Sequence, residues 1–186
     1  MSKTKLLSRL DAFSASRQSF VNQLTQLTPE QLSTRPAPGA WSIIEIVEHL
    51  VLAEKIVFKD FPDPVSLIPA RKGLSNRLLY QVVIFVLKSR RFKVEVPDKN
   101  MNPAGQTSLG DLLDSWDQNQ TWLSEFIQYL SPPDLEKAVF SHPVSGPITP
   151  SQAIYMLQIH FDKHMQQVQD ILSVFESQRQ EQSRDS

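Results

Sequence analysis

Apolar residues recur every three or four positions along four separate stretches of the chain, and proline marks their ends. That period is the signature of amphipathic helices. The first predicted helix runs from about Lys3 to Leu27, with a stripe of Leu6, Leu10, Phe13, Phe20, Leu24 and Leu27. Arg17 falls in the gap between the two phenylalanines. Thr28-Pro29 opens a short turn through Leu32, and Arg35-Pro36-Ala37-Pro38-Gly39 cannot stay helical. The second long helix starts sharply: Ser42 and Glu45 fit a capping box and Trp41 precedes it as a staple. It ends near Phe61, before Pro62 and Pro64. A third opens at Ser108 and Asp111 and runs to Leu130 on Leu109, Leu112, Trp116, Leu123, Ile127 and Leu130, with Gln120 as its polar gap. Thr149-Pro150-Ser151-Gln152 opens the fourth, which is predicted to reach about Glu176.

A shorter segment, Asn76 to Arg90 with Ser75 as its cap, is apolar nearly all round, so it is either well buried or packed against a partner. The cations from Lys88 to Lys93 read as a solvated helix end. No strand is predicted. The pattern therefore gives an all-α chain: a four-helix bundle with an additional short helix inserted between the second and third long helices. Residues 1–176 form one domain, and the polar stretch 177–186 is a disordered tail.

Composition narrows the function classes. The 186 residues are 40% hydrophobic, enough for one sizeable core. A net charge of -1 implies no general affinity for nucleic acid or for a membrane. Without cysteine there is no disulfide, thiolate ligand or cysteine nucleophile. The N-terminus lacks the apolar run of a secretory signal, and no apolar stretch is long enough to span a bilayer, so a soluble, cytoplasmic protein is expected.

The chemistry lies in the histidines. His160 and His164, in HFDKH, share one face of the fourth helix with Ala153, Met156, Leu157, Val168, Ile171 and Phe175. His49 shares the inward face of the second helix with Ile46, Leu52, Ala53 and Ile56, and Glu45 lies one turn earlier. Three inward imidazoles from two helices can hold a metal with positions left open; otherwise they are three unrelated core histidines. Glu45 is a candidate to orient His49. Arg17 and Gln120 either line a pocket beside the metal, with Arg17 holding a carboxylate, or snorkel and bond locally. The fourth histidine, His142, lies in a Pro/Gly loop and receives no role. HFDKH lacks the glutamate of the zinc-protease motif.

The Pro/Gly-rich lead into AWSIIEIVEHLVLAE, the apolar-aromatic third helix and IHFDKHMQQV together resemble the DinB-like superfamily of bacterial four-helix-bundle proteins, over about Leu6 to Phe175. The resemblance implies an up-down-down-up bundle and a divalent metal on His49, His160 and His164, and three imidazoles suit zinc or nickel. It also implies a thiol S-transferase (bacillithiol, mycothiol or glutathione type) in which the metal activates a bound thiol or water. Some relatives are similar to metal-dependent hydrolases at the same site. A non-catalytic bundle that binds a ligand or partner, with the inserted helix as a homodimer interface, is the alternative of another class.

Overall fold

The computed structural model describes residues 2–70, 73–89 and 98–184, with the backbone alone for 178–184. Among these residues six α-helices follow in order: α1 (Lys3–Leu24), α2 (Pro29–Ser33), α3 (Ile43–Lys59), α4 (Leu74–Lys88), α5 (Leu109–Tyr129) and α6 (Pro150–Arg184). The four long ones, α1, α3, α5 and α6, form the bundle. Both α1 and α3 pack chiefly on α5 and α6, so the first two long helices face each other across the bundle instead of lying side by side. The connection from α1 to α3, which carries α2, spans this diagonal, while α4 lies in the connection between the neighbouring α3 and α5.

Capping chemistry explains most helix starts. Thr28 and Gln31 close α2 reciprocally, and at α5 the Ser108 hydroxyl accepts from the Asp111 N–H at 3.1 Å. Thr149 donates its N–H to Gln152 Oε1 at the head of α6. The start of α4 differs from expectation: Gly73, not Ser75, is the cap, and its N–H donates to Asn76 Oδ1. At the other end of the chain, α6 continues past Glu176 to Arg184, because neither glycine nor proline interrupts the polar stretch.

The helix buried on nearly every side is α3, not α4. Only Tyr80 and Ile84 of α4 are buried, and its outward side chains stay exposed. Arg90, Arg91 and Lys93, read as the charged end of that helix, and residues 94–97 of the following loop lie outside the described residues.

Among the described residues, four strands of two or three residues correct the expectation of none. β1 (Ile68–Pro69) pairs antiparallel with β2 (Lys137–Ala138), and β3 (Phe140–His142) with β4 (Gly146–Ile148). Segments so short carry no detectable alternation. His142 serves the β3–β4 turn, where its Nδ1 accepts from the Val144 and Ser145 N–H groups. Gly146 sits at φ +71°, and a Cβ there would meet the Asn76 amide at 2.7 Å.

The core has two apolar storeys. One gathers Leu6, Leu10, Phe58, Leu123, Ile127, Leu130 and Ile154; the other gathers Phe13, Phe20, Ile46, Leu50, Trp116 and Phe161. In the aromatic storey, Phe161 meets both Phe13 and Phe20 edge-on at 5.7 Å between centroids, an arrangement favoured by the ring quadrupoles.

Candidate metal centre

Because most of α3 is buried, Glu45, Glu48, His49 and Glu54 are buried with it, and each needs a partner. The i, i+4 spacing on α6 places His160 and His164 on one face, turned toward α3. The structure thus brings the three predicted rings together. His49 Nε2 lies 3.2 Å from His160 Nε2, and His164 Nε2 lies 3.1 Å from it. Nitrogens about 2.0–2.1 Å from a tetrahedral ion stand about 3.4 Å apart, and about 2.9 Å apart on one face of an octahedral one. The observed spacings fall between these limits.

Proton placement sharpens the match. His49 Nδ1 donates to the Met101 carbonyl at 2.9 Å, and His164 Nδ1 donates to Gln167 Oε1 at 3.1 Å. A neutral imidazole carries one ring proton, so both rings present an Nε2 lone pair to His160. His160 Nε2 can donate to only one of them. Two close N···N contacts with at most one proton between them leave a concentration of lone pairs that a cation relieves. Burial also keeps the rings uncharged. It lowers the pKa of His49 against the opposing Met101 bond, and it lowers His164 to about 4. Burial likewise holds His160 well below its ordinary value, helped by the neighbouring His164 and His49. Neutral rings bind a metal without first losing a proton.

Residues around the rings fix their orientation. Trp41 stands against His49 at 4.9 Å and against His164 at 6.4 Å between ring centroids, so it covers the histidines as well as packing on the helix start. The loop that supplies Met101 is tied to α3 by the residue before His49: Glu48 accepts from the Gly105 N–H at 2.6 Å and from Thr107 Oγ1 at 3.1 Å. Met101, Glu48 and Gln167 escape sequence reasoning. Nothing in the sequence separates Glu48 from Glu45 and Glu54, the other acidic residues of the same helix.

The other candidates lie elsewhere. Glu45 does not orient His49; its carboxylate accepts from the Arg35 guanidinium and from the Ser42 N–H and Oγ. Arg17 does not snorkel. It is buried over the Trp116 ring and bonded to Asp117 at 2.7 Å. Gln120 reaches across the bundle to donate to Glu54 Oε2 at 3.1 Å. These residues surround Glu54, whose pKa burial pushes up to about 7 against the pull of Trp116, Gln120, the Arg17 charge and Asn119. Arg17 Nε and Gln120 Oε1 find no hydrogen-bond partner among the described residues.

Comparison with known proteins agrees with this architecture. A Bacillus subtilis (strain 168) protein, "Uncharacterized protein YuaE", is 25% identical over 163 residues, which cover 87% of this chain and 96% of that one. The crystal structure of TT2238, "a four-helix bundle protein", superposes with a TM-score of 0.51 at 19% identity, covering 91% of this chain and 99% of the other; that likeness shows the fold. Residues 12–168 match the DinB superfamily, a span that takes in all three clustered histidines and reaches into every long helix, and the chain therefore belongs to that superfamily.

Proposed function

We propose that this protein is a metal-dependent transferase in which His49, His160 and His164 hold a divalent ion and a small thiol is the group transferred. The observation that carries the reading is the convergence of three Nε2 atoms, two of them committed to lone pairs by Met101 and Gln167. Three imidazoles suit zinc or nickel. When bound, such an ion supplies Lewis acidity that lowers the pKa of a thiol or water beside it. The chain supplies the rest. His49 and His164 are held in one tautomer, and the indole of Trp41 keeps water from one side of the rings. With no cysteine in the chain, the sulfur nucleophile arrives as a co-substrate. The new C–S bond forms as the acceptor's leaving group departs with its electron pair, and the thiol proton passes to solvent.

The test is turnover of an electrophilic acceptor by zinc- or nickel-loaded protein, with and without added low-molecular-weight thiol. Transfer that requires the thiol and is lost in His160→Ala supports the proposal. Ester or amide cleavage without any thiol would contradict it and assign the site to hydrolysis by water.

A further inference from the structure

The outward side of α4 is apolar, and the charged residues of the helix have one sign. Leu74, Leu78 and Val82 are 85%, 68% and 47% exposed, and Phe85 is 66% exposed. They recur at spacings of four, four and three, so they form one stripe along the helix. Tyr80 and Ile84, on another face, pack into the core. Arg77 and Lys88 border the stripe, and α4 contains no acidic residue. The sequence continues the asymmetry on both sides. Between Pro64 and Val94 there is no aspartate or glutamate, whereas Arg71 and Lys72 precede the helix and Arg90, Arg91 and Lys93 follow it. The net charge of -1, which argued against anionic surfaces, averages over this local excess of cations.

We infer that α4 docks the protein on an anionic lipid surface. With 15 residues the helix is too short to cross a bilayer, and no helix among the described residues is long and apolar enough to do so. An apolar stripe edged by cations instead suits a helix lying in the interfacial plane. Its aliphatic side chains enter the acyl boundary while arginine and lysine remain among the phosphates. Charge decides against a second copy of the chain as the occupant. Two α4 faces would bring cations against cations, with no carboxylate on either helix to pair them.

The experiment is co-sedimentation of the full chain with phosphatidylcholine vesicles, with and without phosphatidylglycerol. Binding should require phosphatidylglycerol and weaken as salt rises. Leu78→Glu, at an exposed site, should lower the partition coefficient about tenfold or more. Arg77→Gln should lower it about fivefold. Circular dichroism and melting should match the parent in both. Equal binding to pure phosphatidylcholine, or none to either vesicle, would overturn the inference. So would a dimer by light scattering that Leu78→Glu converts to a monomer while vesicles go unbound, since that result makes a second copy the occupant.

Discussion

His49 donates its Nδ1 proton to the carbonyl of Met101, and this 2.9 Å bond joins the most buried helix to the loop that precedes α5. The bond does two things at once. It satisfies a buried ring N–H, and it leaves the opposite nitrogen as a lone pair aimed at the other two histidines. Ligand orientation therefore depends on how firmly that loop is held.

Glu48 holds it, through Gly105 and Thr107. Glu48→Ala is expected to weaken metal binding by about tenfold or more, the usual scale for groups that orient a ligand, and Glu48→Gln by less. Competition against a chelating dye measures both. Unchanged affinity in Glu48→Ala would show that the loop is fixed by other contacts.

The buried histidines give the metal-free protein a defined pH response. Their folded-state pKa values lie below the ordinary 6.5, so the unfolded chain binds more protons as the medium turns acid. Stability should be fully present above about pH 6.5 and fall progressively toward the His164 value of about 4. Denaturant titrations of the metal-free protein across this window should show a shallower decline for His164→Asn than for the parent. Parallel declines in the two proteins would contradict it.

Glu54 predicts the opposite slope. Its pKa rises from 4.5 to about 7 on folding, so the folded state binds more protons between those values and loses stability as pH rises through them. Glu54→Gln keeps an oxygen to accept from Gln120 and removes the charge. The variant should be more stable than the parent above pH 7, on the order of 2 kcal/mol, and equal to it near pH 4. A variant less stable at pH 8 would mean that the carboxylate is ionised and paired in the native core.

Gly146 tests the small hairpin that receives the head of α4. Alanine there must accept a left-handed φ of +71° and push the Asn76 side chain aside. A loss of about 1 kcal/mol is expected, read as a lower thermal midpoint. Because Trp41, Met101 and Gln167, which hold the rings, lie outside the hairpin, metal affinity should stay unchanged.

The bundle and its three histidines were legible because both rest on helical period. Leu6 through Leu24, and His160 with His164, announce which face turns inward, and proline and serine mark where each helix begins. Local rules stop where a contact depends on backbone from a distant loop. Nothing in MNPAGQT signals that the Met101 carbonyl meets His49 or that Gly105 meets Glu48. Arg17 and Gln120 were visible as breaks in apolar stripes, but their common partner Glu54 sits on a third helix, and no spacing rule links them. The exposure of α4 was hidden for a related reason. A nearly continuous apolar run fits a buried helix and equally one whose outer face remains uncovered.

The central claim is that His49, His160 and His164 together hold a divalent ion. Its most direct test is metal content per chain by mass spectrometry, on protein purified without a histidine tag and dialysed after exposure to zinc or nickel. About one ion per chain is expected, retained in His142→Ala and lost in His160→Ala. Equal metal content in His160→Ala, or a parent protein that retains neither ion, would contradict the account.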